Sequence, residues 1–369
     1  RKDMEWLGIK FKWTKPEPFN PNSGHQIAKR MMALGWEPTE FTDTGIPKVD
    51  EPVLVRLGQK FEEAKPLAEY VMLQKRLGQI RNAKSRNGWL DHLEEDGRVH
   101  GRINTVGCVS FRCSHSMPNL AQVPAVGKPY GKECRSLFGV ADGNALVGVD
   151  ASGLELRVLA HYLAQYDGGR YAHEVVNGDI HTSNQEAAGL PTRNDAKRFI
   201  YALIYGAGDV KLGETVLSKE KNPTKLRAAG KKVRAQFLKR TPALRQLTEA
   251  VRGKATRYKK LKGLDGRVLH VRSVHSSLNL LLQSAGAIIC KRALVIMRQN
   301  LERAGYTMGK DWDMVLFIHD EAQVECRKEI AKDVAEIAEQ SFEQVGRDLG
   351  LRVATAGEAK IGSNWAETH

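Results

Sequence analysis

The sequence has few cysteines, no repeats and no long apolar run. Its five cysteines include no closely spaced pair, which excludes a disulfide framework and argues against a zinc site, so a reducing cytoplasm is expected. No uninterrupted apolar run reaches the roughly 18 residues of a membrane span, and the N-terminal residues do not form a signal peptide. With 41% hydrophobic residues, the chain is not intrinsically disordered as a whole. We therefore expect a cytoplasmic protein with no membrane partner.

The positive charge is concentrated in one segment. The 369 residues include 57 Lys and Arg against 43 Asp and Glu, a net charge of +14. Residues 211–262 contain 17 Lys and Arg against three acids, so this segment carries the whole excess. A basic surface of this kind indicates a polyanionic partner such as a nucleic acid. A solvated helical face that keeps the protein soluble would give the same pattern.

Periodicity predicts a mixed arrangement of helices and strands. Helices are predicted over 25–34, 55–82, 154–164, 192–205, 278–303 and 331–345, strands over 145–149, 314–318 and 322–325, and a tight hairpin at 265–266. Helices and strands do not alternate regularly along the chain. The pattern therefore favours an α+β fold with an antiparallel sheet.

Two aspartates follow apolar strands. Asp150 ends the apolar run 145–149, and Asp320 follows the strand predicted over 314–318. An unpaired carboxylate is costly to bury there, which is explained if the two aspartates meet over shared cations. Oxygen ligands of this type suit Mg²⁺, and two such ions can activate an attacking oxygen and stabilise a leaving one. Two ordinary turn or capping aspartates would also fit the pattern.

A second group of candidates lies on the helix predicted over 192–205. Arg193, Lys197, Tyr201 and Tyr205 are four residues apart and therefore share one face. Cations near a helix N-terminus, followed by aromatic rings, could bind a triphosphate and a stacked base. His181, upstream, could add a phosphate donor. An amphipathic helix with buried tyrosines and a basic edge remains the alternative.

Two amides interrupt an apolar helix. Asn279 and Gln283 lie one turn apart in the segment 278–303. Side-chain amides can both donate to and accept from base edges in a minor groove. A capping Asn and a buried, satisfied Gln are equally compatible with the sequence.

Three segments, taken in order, resemble the sequence motifs of one enzyme family. Residues 150–157 (DASGLELR) resemble motif A of family A, or polymerase-I-like, DNA polymerases; residues 193–206 resemble motif B, and residues 319–321 (HDE) resemble motif C. The likeness is strongest to the replicative polymerases of T-seven-like bacteriophages and extends over nearly the whole chain from about residue 19 on. It implies a DNA-directed DNA polymerase that adds deoxynucleotides (dNTPs) to a primer–template during phage DNA replication.

The resemblance also implies a right-hand architecture. The palm, with its antiparallel sheet, would comprise 100–160 and 276–369, and the helical fingers 161–275. Residues 51–99 would form the base of a truncated helical thumb, and residues 1–50 an N-terminal linker. No room is left for an exonuclease domain or for the site of a host processivity factor, so this is expected to be the C-terminal polymerase portion of a longer protein. A monomer acting in the host cytoplasm is expected.

Roles near the metals are also implied by the resemblance. Asp150, Asp320 and the carbonyl of Ala151 would bind two Mg²⁺ ions, and Glu321 would support the second carboxylate. Lys197 would bind phosphate and protonate the leaving group.

Roles around the nucleotide and the DNA follow in the same way. Arg193 and His181 would join Lys197 on the phosphates, and Tyr205 would stack near the template base. Glu155 would pack against Tyr201 and exclude a 2′-hydroxyl. The residues expected to contact the primer–template end are Arg112, Asn279, Gln283 and His319.

One departure and two alternatives accompany this interpretation. The family usually has Thr-Gly-Arg where this chain has Ser110-Phe111-Arg112, and Phe adds bulk and removes backbone freedom. The detail of the Arg112 contact with DNA therefore does not follow from the resemblance.

A single-subunit RNA polymerase would share the plan, although Glu155 argues against it. A non-catalytic basic DNA-binding protein would bind DNA without metal-dependent turnover.

Overall fold

The structure is a computed structural model that describes residues 2–6, 9–13, 17–82, 84–218, 220 and 222–369. These residues form two compact units, 1–100 and 101–369.

The first unit is mainly helical. It contains the antiparallel strands β1 (Lys2–Trp6) and β2 (Ile9–Trp13), the helices α1 (Gly24–Ala33), α2 (Glu51–Leu57) and α3 (Ala64–Ile80), and a 3₁₀ turn at Trp89–His92. Ser23 and Asp50 cap α1 and α2, because each side chain accepts a hydrogen bond from a backbone N–H of the first turn. Apolar side chains of the three helices, among them Met31, Leu54 and Ala64, form its core.

The prediction of one continuous helix over 55–82 is wrong. The chain forms two helices there, α2 and α3, separated by residues 58–63. Pro66 explains the break, because proline has no N–H to donate and fits only in the first turn of a helix. It occupies that turn in α3. The apolar spacing across the gap reflects one shared core rather than one helix.

The second unit contains a four-stranded antiparallel sheet with the order β10-β5-β9-β8. Its strands are β5 (Asn144–Ala151), β8 (Trp312–Ile318), β9 (Glu321–Arg327) and β10 (Gly357–Gly362). The same unit contains two short antiparallel strand pairs, β3 (Arg102–Asn104) with β4 (Ser114–Ser116) and β6 (Lys260–Lys262) with β7 (Val268–His270). The α+β class with an antiparallel sheet is confirmed.

Helices make up most of the rest of the second unit. They are α4 (Gly131–Ser136), α5 (Leu154–Asp167), α6 (Arg170–Asn177), α7 (Ile180–Ala188), α8 (Arg193–Ile204), α9 (Asp209–Val216), α10 (Pro223–Arg240), α11 (Pro242–Tyr258), α12 (Ser277–Arg303) and α13 (Ala331–Asp348), with 3₁₀ turns at Leu120–Gln122 and Lys328–Ile330. Thr192 is the N-cap of α8, because its side chain accepts a hydrogen bond from the backbone N–H of Asp195.

Helix α12 runs through the core of the second unit. By length and composition alone it could cross a membrane, but 72% of its apolar window is buried inside the protein. A core helix of a globular protein has the same properties. Its long apolar face packs beside α5, α11 and α13, and it carries Asn279 and Gln283 as half-buried exceptions.

Candidate active site

The two aspartates lie side by side at one end of the sheet. Asp150 is the penultimate residue of β5, and Asp320 lies in the tight turn between β8 and β9. Strands β5 and β9 are antiparallel neighbours in which Asp150 pairs with Glu321. The backbone N–H of Ala151 donates to the carbonyl oxygen of Asp320 at 3.1 Å. Strand pairing therefore brings together two carboxylates that are 170 residues apart in the chain.

The electrostatics of this pair favour a cation. Asp150 is exposed at the surface, but partial desolvation, reinforced by the like charges of Asp320 and Glu321, raises the pKa of its carboxyl to about 7. Burial and the charge of Glu155 also raise the pKa of Asp320. Like charges held together in a partly buried site oppose full ionisation. A divalent cation would relieve this repulsion.

Glu321 belongs to a different, buried network. Its carboxylate accepts hydrogen bonds from Gln323 Nε2 at 2.7 Å and from the indole N–H of Trp365, and His369 Nδ1 lies 3.0 Å from it. Arg135 Nη1 is 3.7 Å away, and its guanidinium lies 4.2 Å from the Trp365 ring centroid. Burial opposes ionisation of Glu321, but these partners outweigh it and lower its pKa. Glu321 is thus anchored beside the aspartates in its charged form.

Removing the buried arginine is expected to destabilise the second unit. Arg135→Met would leave the Glu321 carboxylate without its guanidinium partner and should lower the free energy of unfolding by about 2–4 kcal/mol. Lys132→Met, at an exposed position of the same helix, should change it by less than about 0.5 kcal/mol. Urea unfolding of both variants measures the difference. Equal stability of the two variants would contradict the anchoring role of Arg135.

The first turn of α8 brings several cations together. Arg193 Nε donates to both carboxylate oxygens of Asp179, at 2.8 and 3.2 Å, and this contact lowers the pKa of that carboxyl. Lys197 lies one turn further on and is exposed. The imidazole of His181 lies 6.4 Å from the Tyr201 ring, between centroids, and burial followed by the charges of Arg193 and Lys197 lowers its pKa. Arg193 therefore already has an anionic partner, which a phosphate would have to share or displace.

Glu155 links α5 to the end of α8. Its Oε1 accepts a hydrogen bond from the hydroxyl of Tyr205 at 2.7 Å. Tyr205 stacks on Tyr201 with 6.4 Å between ring centroids. Burial, followed by the charges of Glu155 and Asp320, raises the pKa of Tyr201 to about 12, so its hydroxyl stays protonated. Glu155 is thus near both tyrosines, but its hydrogen bond goes to Tyr205, whereas the family resemblance implied packing against Tyr201.

Two of the expected primer–template residues lie beside these groups. Arg112 Nη2 is 3.8 Å from Glu155 Oε1. His319 adopts a left-handed backbone conformation (φ 57°) in the turn that carries Asp320, and its ring meets that of His115 edge to face at 6.3 Å. Desolvation, then the charge of Arg112, lowers the pKa of His319.

The amides lie further along the site. Asn279, near the start of α12, lines a cavity of about 70 Å³ together with Leu203 and Gly206 from the end of α8. Gln283 lies one turn further along the same helix. The structure thus places Asn279 near the tyrosine end of α8, and Gln283 follows it on the same helix.

The donors around the aspartates suit Mg²⁺. Within the described ranges, no group of three or more His, Cys, Asp and Glu side chains is arranged to hold a metal by itself. Mg²⁺ is usually bound by one or two carboxylates together with substrate phosphates and water. Asp150, Asp320 and the backbone carbonyl of Ala151 are oxygen donors of that kind.

Sequence reasoning missed the groups that hold the site in place. Arg135, Gln323 and His369 belong to no recognisable motif. Only the folded structure shows that the three side chains converge on Glu321. Trp365 had only a weak signal, because it lies within the long part of the chain over which the family likeness extends. Phe111 had a stronger signal, as a bulky residue at a position where glycine is usual.

Comparison with known proteins identifies the family. The family model described as DNA polymerase family A matches residues 3–367. The DNA-directed DNA polymerase of Enterobacteria phage T3 is 45% identical, over 95% of this chain and 53% of that protein. The DNA-directed DNA polymerase of Escherichia phage T7 is 44% identical with the same coverage. The chain thus spans about half the length of these curated relatives.

A solved structure has the same fold. The polymerase domain of Pol1 from M. smegmatis, in complex with a DNA primer-template and dNTP, matches with a TM-score of 0.76 and 21% identity. The match covers 95% of this chain and 62% of that one. The similarity extends over both units and supports a polymerase-type fold.

Proposed function

Because the chain belongs to DNA polymerase family A, we propose that it is a DNA-directed DNA polymerase that transfers deoxynucleotides to a primer 3′-hydroxyl. The observation that carries this proposal is the pairing of Asp150 with the Asp320 turn, with Ala151 N–H and Asp320 O at 3.1 Å. The replicative relatives in phages suggest that the reaction serves phage DNA replication in the host cytoplasm.

The proposed architecture follows the resemblance. Residues 100–160 and 276–369 would form the palm, residues 161–275 the fingers, and residues 51–99 the base of the thumb. The basic segment 211–262 then lies in the fingers, where it could attract the template. We propose a monomer that binds primer–template DNA and dNTPs; a host processivity factor, implied for a longer form of the protein, would strengthen its grip on duplex DNA.

The residues would divide the chemistry between them. Two Mg²⁺ ions bound by Asp150, Asp320 and the Ala151 carbonyl would supply activation of the 3′-hydroxyl and neutralise the triphosphate. Lys197 and His181 would hold the phosphates, and Lys197 would donate a proton to the leaving pyrophosphate. Arg193 would exchange its contact with Asp179 for a phosphate oxygen.

The remaining residues would select and position the substrates. Glu155 would contact the sugar of the incoming nucleotide. Tyr201 and Tyr205, which stack on each other, lie beside Glu155. Arg112 and His319 would contact the primer end, and Asn279 and Gln283 would read the minor-groove edges of the terminal base pair.

Primer extension tests the proposed function directly. The full chain is incubated with a primed DNA template, dNTPs and Mg²⁺, in parallel with a chelator and in parallel with ribonucleotides. We expect template-directed extension with deoxynucleotides that stops when the metal is removed. Salt-sensitive DNA binding without extension would instead favour a non-catalytic DNA-binding protein, and equal use of ribonucleotides would favour an RNA polymerase.

Removing the Glu155 side chain is expected to relax sugar selection. Glu155→Ala would open space for a 2′-hydroxyl and should lower the preference for deoxynucleotides over ribonucleotides by about 10²-fold. The ratio of kcat/KM for the two nucleotides measures this preference. Glu249→Ala, which removes an exposed glutamate from α11, serves as the control. An unchanged ratio in Glu155→Ala would refute the steric role.

A further inference from the structure

The loop 105–112 holds a bulky residue in a conformation that favours glycine. Phe111 has φ 61°, in the left-handed region. Side chains with a Cβ are strained there, and such strain persists only where the surroundings fix the backbone. The chain therefore retains the backbone geometry of a glycine while presenting an aromatic ring.

Two sets of contacts fix this backbone. Within the loop, the Phe111 N–H donates to the carbonyl of Cys108 at 2.9 Å, and the Cys108 N–H donates to the carbonyl of Arg112 at 3.2 Å. From α12, the ammonium group of Lys291 donates to the carbonyls of Thr105 and Phe111. Hydrogen bonds therefore hold the loop both at its start, Thr105, and at its end, Phe111 and Arg112.

The aromatic ring makes a third contact, with the β6–β7 hairpin. The guanidinium carbon of Arg267 lies 4.5 Å from the centroid of the Phe111 ring. Asp265 orients that guanidinium, because its two carboxylate oxygens accept from Arg267 Nε at 2.9 and 2.8 Å. An arginine over an aromatic face is a favourable cation–π arrangement. This contact requires an aromatic residue at position 111 and could not form with glycine.

The next residue of the loop enters the candidate site. Arg112 Nη2 is 3.8 Å from Glu155 Oε1, which also accepts from the Tyr205 hydroxyl. The direction in which Arg112 leaves the loop depends on the backbone of Phe111, which immediately precedes it. Fixing that backbone therefore fixes where the guanidinium of Arg112 lies.

We propose that the Phe111–Arg267 stack is a latch that fastens loop 105–112 to the β6–β7 hairpin and thereby positions Arg112 for the primer end. Phe111 and Arg267 are positioning residues that act through Arg112. This inference rests on the proposed function, since it takes the ligand of Arg112 to be primer–template DNA. Loss of the latch should weaken the affinity for primer–template and leave the affinity for dNTP unchanged.

Kinetics of four variants of the full chain test the latch. Phe111→Leu keeps an apolar side chain without a π face, Arg267→Gln removes the cation, the double variant combines them, and Phe111→Tyr restores the aromatic face. We expect each single substitution to raise the KM for primer–template about three- to tenfold, the size of a cation–π contact. The KM for dNTP, and kcat at saturating DNA, should stay within about twofold. The double variant should be no worse than either single one, and Phe111→Tyr should behave as the wild type.

The outcomes separate the latch from a structural role and from the proposed function. An unchanged KM for primer–template in Phe111→Leu, or effects that multiply in the double variant, would overturn the latch even if the melting temperature falls. Fluorescence anisotropy of labelled primer–template gives the Kd independently of turnover. A wild type that extends no primer would refute the proposed function. The latch would still be supported in that case if both single variants raise the Kd for primer–template equally and the double variant raises it no further.

Discussion

Replacing Asp320 with alanine is expected to lower the rate of deoxynucleotide incorporation by roughly 10³-fold or more, with primer–template binding nearly unchanged. Asp150→Ala should have the same effect. Both carboxylates lie at one end of the sheet, where partial desolvation and mutual repulsion raise the pKa of Asp150 to about 7. Without either one, the remaining oxygen donors cannot hold two divalent cations beside the primer 3′-hydroxyl.

A nearby aspartate provides the matched control. Asp313 lies on β8, the strand that leads to Asp320, and its side chain is exposed. Asp313→Ala removes a carboxylate of the same kind from the strand that precedes the Asp320 turn and should retain wild-type incorporation. DNA affinity, measured at several salt concentrations, should follow one curve for all four proteins, because the phosphate-binding cations are untouched. Near-normal incorporation by Asp320→Ala would remove the metal assignment.

Replacing Tyr201 with phenylalanine is expected to make the enzyme discriminate against chain terminators. We expect the wild type to incorporate dideoxynucleotides readily and Tyr201→Phe to disfavour them by about 10- to 100-fold. Tyr201 presents a protonated hydroxyl, since its pKa is raised to about 12. That hydroxyl would occupy the place of the 3′-hydroxyl that a terminator lacks, whereas phenylalanine would leave the gap unfilled.

Competition between a dideoxynucleotide and its deoxynucleotide in primer extension measures this selectivity. Tyr258→Phe, which removes a hydroxyl from a tyrosine that is 53% exposed at the end of α11, is the control and should match the wild type. Strong rejection of dideoxynucleotides by the wild type would show that the Tyr201 hydroxyl does not fill that position.

Local patterns singled out the two central aspartates as candidates. Asp150 and Asp320 were predicted to meet because each follows an apolar strand, and the pairing of β5 with β9 brings them together. The N-cap of α8 at Thr192 was likewise predictable, since a cap depends on neighbours within one turn. The order of the three motifs then implied a right-hand polymerase architecture, which periodicity alone could not indicate.

Contacts between distant segments were not predictable in the same way. The partners of Glu321 come from α4 and from the last residues of the chain, so their convergence depends on strand register and on the path of the chain end. The pairing of Arg193 with Asp179 depends on how α7 packs against α8. At Phe111 the sequence showed a departure from the family, but only the structure shows that the left-handed backbone is retained and that the ring meets Arg267.

Counting bound divalent ions tests the central claim most directly. The protein is assembled with a dideoxy-terminated primer on a template and the matching dNTP, so that no turnover occurs, and Mn²⁺ binding is followed by electron paramagnetic resonance. The wild type and Asp313→Ala should each hold about two ions per chain in this complex. Asp150→Ala combined with Asp320→Ala should hold no more than the one ion that the dNTP binds by itself; two ions retained in that double variant would contradict the account.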